Sequence, residues 1–359
     1  MINQLTGIRA ILAWWVVALH IVCNPQMAKY FWFAPVFSSG NLAVDGFFVL
    51  SGFILCHVYA NRLSDFSGRG FLSFLVARIA RIYPVHVIVL LAFVPALVVN
   101  REFHLPNAVT GFSGLDLGLS LLLLQAWGFI NHPAWNSVAW SISAEWFAYL
   151  LFPVFLIVIV KSNSMVRVAF VIASSAIALC WVAFSQREMN GPAGLYRSAL
   201  VMVCANFALG CVVYVVKQSG IKSKAWVGTL AAGAAIVCAS YRWLPLFSLC
   251  FAVLIFALAS NGDLLSGPLS SKAMVYLGET SYSVYMVHLL LWQAVAALAG
   301  RAGLLSPACA PWVVAATVIL IGATSSLIYH TVELPARRYL RELDREHLQL
   351  QVVRAIRLR

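Results

Sequence analysis

The sequence predicts an all-α integral membrane protein, with about ten transmembrane helices plus one short re-entrant or interfacial helix. Three observations predict it. The 359 residues are 62% hydrophobic and only 10% charged, whereas soluble domains carry about a quarter charged residues. Apolar runs long enough to cross a bilayer recur almost to the end, with no polar block large enough for a separate soluble domain. Basic residues collect in short stretches between those runs, the pattern that sets membrane topology.

The apolar runs fall near 6–24, 42–61, 80–99, 138–160, 167–185, 198–216, 225–240, 244–260, 276–299 and 312–333. An eleventh, Leu115 to Ile130, is shorter and interrupted by Gln125 and Gly128. Charge decides whether it crosses. With the N-terminus in the cytoplasm, Arg62, Arg69, Arg78 and Arg81 follow the second span on the inside. Lys161 and Arg167 follow the 138–160 run and also belong inside, which requires that 115–130 does not cross. It is expected on, or dipping into, the outer side. Both termini are then cytoplasmic. Of the 24 Lys and Arg, 18 lie inside, and six lie outside: Lys29, Arg101, Arg187, Arg197, Arg242 and Arg301. The expected division is a transmembrane domain over 1–335 and a basic cytoplasmic tail over 336–359, whose periodicity suits a helix along the membrane surface.

The net charge of +12 therefore reports topology, and no nucleic-acid partner is expected; membrane lipids are. The first apolar run lacks a basic leader and a small-residue cleavage site and carries Arg9 and His20, so it reads as a span and not as a signal peptide. The eight cysteines make no CxxC pair and no metal-ligand spacing. They read as small packing residues, and neither a metal site nor a disulfide is expected.

Ionisable groups inside spans are costly in lipid and mark function by default. In "GIRAILAWWVVALH", Arg9 and His20 are 11 residues apart, which returns to nearly the same helix face after a rise of roughly 16 Å. Arg9 belongs at the inner end and His20 about one turn from the outer end. In "VARIARIYP", Arg78 and Arg81 are three apart and share a face at the inner mouth. Two neighbouring guanidiniums suit a phosphate or diphosphate, although topology-setting arginines have the same look. Asp45 lies about one turn into the second span, and Glu145, in "WSISAEWF", about two turns into its own. Both are expected near the depth of His20. A carboxylate holding one imidazole nitrogen leaves the other as a general base for a hydroxyl. Each carboxylate has the plainer alternative of satisfying serines, tryptophans or helix N-termini. In "LGETSYSVYMVHLLL", spacings of four and three put Ser281, Tyr285 and His288 on one face, a polar stripe fit to line a channel, with His288 at mid-membrane. His57, His86 and His330 lie near inner span ends and read as snorkelling or backbone-bonded side chains.

Taken in order, the Arg9-x10-His20 pair, "VDGFFVLSGFIL", "RIARIYP", "WSISAEWF", "LGETSYSVYMVH" and "VELPARRYL" resemble the acyltransferase-3 family of bacterial membrane O-acyltransferases. The resemblance covers essentially the whole chain. It implies transfer of an acyl group, usually acetyl, from acyl-CoA to a hydroxyl of a saccharide or glycolipid. It implies a bacterial inner-membrane location, acyl-CoA as donor substrate and no permanently bound cofactor. His20 matches the family's catalytic histidine, with Glu145 and Asp45 beside it. CoA phosphates are expected on Arg78, Arg81 and Arg9, and Ser281, Tyr285 and His288 along the donor's path. Where family patterns continue with a second acidic residue after the Glu145 position, this chain has Trp146. Some members carry a fused extracellular esterase-like domain; none is expected here. A polytopic transporter or flippase for a glycolipid or anionic solute is the rival reading of ten spans with buried charges. The absence of an internal repeat between the two halves counts against it.

Overall fold

The apolar runs form helices because nothing in lipid can satisfy a backbone amide except the helix itself. The structure, a computed structural model, describes residues 2–24, 27, 35–60, 68–102, 113–160, 165–188, 192–260, 262–340 and 342. In chain order the helices are α1 (Asn3–Val22), α2 (Leu42–Tyr59), α3 (Gly68–Glu102), α4 (Gly114–Leu121), α5 (Trp140–Phe155), α6 (Met165–Glu188) and α7 (Pro192–Gln218). Then come α8 (Val227–Ser240), α9 (Leu244–Ala259), α10 (Ser266–Leu269), α11 (Lys272–Glu279), α12 (Ser281–Arg301) and α13 (Ala310–Ile328).

Among the described residues, eight helical segments are long and apolar enough to cross a membrane; the predicted runs 225–240 and 244–260 form the shorter apolar helices α8 and α9. The protein is an all-helical, multi-pass membrane protein. After α13 a π-helical turn, Tyr329–Glu333, leads into further helix, and the last span-length segment runs through to Leu340. The chain thus passes the expected 335/336 boundary without leaving the helix. Residue 341 and residues 343–359 of the basic tail lie outside the described residues.

Close backbone contacts fix the core. A Cβ on Gly52 would meet the Phe207 carbonyl oxygen at 2.1 Å, and one on Gly210 would meet that of Val49 at 2.0 Å. Helices α2 and α7 therefore touch backbone to backbone, as small residues allow in membranes. Gly278 of α11 meets the Thr6 carbonyl in the same way, at 1.9 Å. That contact holds the start of α1 against the α11–α12 junction.

The interrupted segment 115–130 does not cross. Helix α4 has only eight residues, about 12 Å of rise. Beyond it the chain turns through Leu123, at φ 57°, and Gly128, at φ 91°. Non-helical backbone at this depth needs polar partners, and α5 supplies them. Ser143 Oγ donates to the Leu123 carbonyl at 2.7 Å and accepts from Ala126 N–H at 3.1 Å. The buried Gln125 donates to the Ala139 carbonyl. His86 donates through Nε2 to the Ser120 carbonyl at 2.8 Å. The sequence puts His86 near an inner span end, but α3 starts 12 residues before the predicted run, at Gly68, so His86 sits mid-helix. At the start of α4, Ser113 and Asp116 form a reciprocal capping box, and His132 reaches the Asp116 carboxylate at 3.3 Å. Burial works against the charged carboxylate, but hydrogen bonds from His132 and Ser113 outweigh it and hold the pKa of Asp116 below its usual value.

Candidate active site

Helices α1, α2, α3, α5 and α12 line a partly open cleft with a cavity volume of about 160 Å³. Arg9 enters it from the first half of α1, and Arg78 and Arg81 from successive turns of α3. Glu145 enters from α5, with Ser281 and Tyr285 from the first half of α12. Six of the nine predicted site residues thus line one space, although they come from four helices and up to 276 positions apart in sequence.

Each arginine is a charge held where water is scarce, so its surroundings decide what it can do. The Arg78 guanidinium lies 5.5 Å from the centre of the Tyr59 ring and 5.9 Å from those of Phe74 and Tyr149. It also donates to the Tyr59 hydroxyl at 3.3 Å. Three aromatic faces around a planar cation fix its plane and lower the cost of its burial. Glu145 Oε1 accepts from Ser51 Oγ at 2.7 Å, and the carboxylate faces the arginines across the cleft. It is the acidic residue of the lining, so among the described lining residues three positive side chains meet one negative one.

Tyr285 lines the cleft from α12. Its hydroxyl lies 2.7 Å from Ser141 Oγ and donates to the Val138 carbonyl at 2.9 Å. One turn further along α12 is His288, which is fully buried and outside the lining. Its Nδ1 lies 2.6 Å from the Tyr285 carbonyl oxygen, and its Nε2 lies 3.2 Å from Nδ1 of His20 on α1. The two imidazole rings meet edge to face with centres 4.9 Å apart. His20 Nδ1 also reaches the Val16 carbonyl at 2.9 Å.

Four sequence expectations about geometry need correction. His20 is expected to have a carboxylate on one nitrogen; its partners are His288 and a backbone carbonyl. Asp45 is buried on α2 and takes a 2.7 Å hydrogen bond from Asn206 Nδ2 of α7, outside the cleft. Glu145 is expected at the depth of His20, yet it bonds Ser51, halfway along α2. The reason is that α5 starts inside the fold. The chain before it is tucked in at both ends: Leu123, Gln125 and Ala126 are buried, as are Asn136, Val138 and Ala139, and Asn136 donates to the Met286 carbonyl at 3.2 Å. Five residues into α5 is therefore deeper than five residues into a helix that starts at the surface. His288, expected on a channel wall at mid-membrane, is packed against His20 instead.

Sequence reasoning missed Asn206 and the tyrosines Tyr149 and Tyr282, which also line the cleft. Asn206 had a signal: it is the lone amide in the run "VMVCANFALGCVVYVV", and the rule that singled out Asp45 applies to it equally.

The chain matches the acyltransferase domain of the acyltransferase-3 family over residues 2–330. It is 29% identical over 324 residues to Acyltransferase MdmB of Streptomyces mycarofaciens, covering 80% of this chain and 78% of that one. It is 25% identical over 320 residues to Peptidoglycan O-acetyltransferase OatA of Listeria monocytogenes, covering 80% of this chain but only 49% of the relative. No solved structure matches the chain. A family match that spans every helix lining the cleft leaves one conclusion: the chain belongs to the acyltransferase-3 family and is a multi-pass membrane acyltransferase.

Proposed function

We propose that the protein moves an acyl group, usually acetyl, from cytoplasmic acyl-CoA to a hydroxyl of a saccharide or glycolipid on the outer side of the bacterial inner membrane, with both termini cytoplasmic. The observation that carries this reading is one cleft that gathers three guanidiniums, with a histidine pair packed beyond Tyr285 and outside the cleft lining. Arg9, Arg78 and Arg81 suit the phosphates of CoA, because guanidiniums pair with phosphate oxygens through two N–H donors at once. The pantetheine arm then runs along Ser281 and Tyr285 towards His20. Its length is comparable with the roughly 16 Å rise from Arg9 to His20. The peptidoglycan O-acetyltransferase named among the relatives supports a saccharide hydroxyl as acceptor.

The chemistry balances through one base. His20 takes the hydroxyl proton as the acceptor oxygen bonds to the thioester carbonyl carbon. The C–S bond breaks, and the proton leaves with the CoA thiolate. Glu145 balances the arginine charge around the donor. Asp45 supports the site through Asn206, holding α2 to α7, without touching the donor.

The test uses inside-out membrane vesicles from the host cell, which carry the native acceptor and expose the cytoplasmic face to added [14C]acetyl-CoA. Loss of a general base costs about 10²–10⁴ in rate, so His20→Ala should leave transfer into the glycan fraction near background. Transfer by correctly inserted His20→Ala protein at close to the wild-type rate would overturn the mechanism.

A further inference from the structure

Two backbone carbonyls decide how protons are distributed over the histidine pair. A carbonyl oxygen only accepts hydrogen bonds, so a ring nitrogen close to one carries a proton. His288 Nδ1, 2.6 Å from the Tyr285 carbonyl, therefore bears hydrogen. His20 Nδ1, 2.9 Å from the Val16 carbonyl, bears one too. The remaining contact, His288 Nε2 to His20 Nδ1 at 3.2 Å, tolerates a single proton between its two nitrogens. That proton already belongs to His20. His288 Nε2 is thus a bare acceptor, and His20 Nδ1–H is shared between it and Val16. The bare nitrogen left on His20 is Nε2.

We propose that His288 is the positioning residue of this acyltransferase: a buried imidazole that accepts from His20 Nδ1–H and so keeps His20 Nε2 as the base. The inference rests on the general-base reading of His20 above, and it gives His288 the part that a carboxylate plays beside many catalytic histidines. Three further observations support it. His288 is completely buried, so no water competes for its Nε2. Its own orientation is set within α12, by a carbonyl three residues earlier. The Gly278 contact with Thr6 packs α1 against the start of the α11–α12 pair, which fixes the register that brings residue 20 to residue 288. When His20 takes the acceptor proton, the Nδ1–H bond becomes charge-assisted and strengthens. His288 therefore stabilises the transition state more than the resting enzyme, and its loss should appear in kcat.

The experiment compares His20→Ala, His288→Leu and His288→Gln in the same vesicles, at matched amounts of inserted protein. His288→Leu removes the acceptor and should lower kcat about 10–100-fold with KM for acetyl-CoA unchanged. His288→Gln keeps a carbonyl oxygen near the position of Nε2 and should recover to within about fivefold of wild type. Detergent-purified, 15N-histidine-labelled protein supplies a readout independent of activity. The resonances removed by His20→Ala and by His288→Gln should both be those of Nδ1–H tautomers. A His20 resonance of the Nε2–H tautomer would overturn the inference, as would wild-type kcat in His288→Leu or a raised KM with unchanged kcat. Those results leave the base reading intact as long as His20→Ala is inactive; an active His20→Ala protein defeats both.

Discussion

Around Asp45, helices α2 and α7 close on each other until their backbones touch at Gly52 and Gly210. Around Glu145, helices α1, α2, α3, α5 and α12 stand apart and leave a cleft. Both regions place a carboxylate within a membrane-spanning helix, buried at Asp45 and half-buried at Glu145, and both give it a 2.7 Å hydrogen bond. The difference lies in what else is present. Asp45 has an amide partner and no cation in hydrogen-bonding reach among the described contacts, so its site is complete as it stands. Glu145 shares its space with three guanidiniums and an open volume, so its site has charge left over for a ligand. A buried charge in a membrane protein marks function only where the surrounding packing leaves room for something to arrive.

The largest expected effect separates the two regions by charge. Arg81→Glu puts a negative group where donor phosphates should bind and should lower kcat/KM for acetyl-CoA by about 10²-fold or more, mainly through KM. Kinetics in the inside-out vesicles check this, and an unchanged KM would move the phosphate site elsewhere. The closed region should respond in stability. Asn206→Leu leaves the Asp45 carboxylate without its partner and should cost about 1–3 kcal/mol. Thermal unfolding in detergent measures it, and activity per folded molecule should stay close to wild type. The smallest effect is expected outside both regions, at the capping box of α4. The folded-state pKa of Asp116 is lowered. Its contribution is therefore full above the ordinary carboxylate pKa and lost as pH falls through the lowered value. Asp116→Asn should cost about 1 kcal/mol at neutral pH and flatten the acid limb of the melting-temperature profile.

The architecture was largely legible in the sequence because hydropathy and arginine placement are local quantities. The ten apolar runs all appear as helices, and segment 115–130 stays short of a span. The sharing of one face by Arg78 and Arg81 followed from helix periodicity alone. The pairing of His20 with His288 did not. Those residues are 268 positions apart, and their meeting depends on how α1 packs on the α11–α12 junction at Gly278. The depth of Glu145 was hidden for a related reason. It depends on the segment before α5, and the two residues that tie that segment down, Gln125 and Ser143, look like ordinary polar interruptions in a line of text. The match of Asp45 to Asn206 lay between these cases: the amide was visible, but its neighbour was not.

The central claim is that the cleft, and not the Asp45 pair, is the working site. The most direct measurement is kcat and KM for acetyl-CoA in Glu145→Gln and Asp45→Asn, side by side and normalised to folded protein. Gln at 145 still accepts from Ser51 but removes the negative charge among the arginines. Donor and product should both bind more tightly, so KM should fall about threefold and kcat should fall with it. Asn at 45 still accepts from Asn206, and its own amide can donate to Asn206 Oδ1, which has no partner among the described residues; kcat and KM should both stay within about twofold of wild type. Loss of transfer in Asp45→Asn, with Glu145→Gln indistinguishable from wild type, would contradict the account.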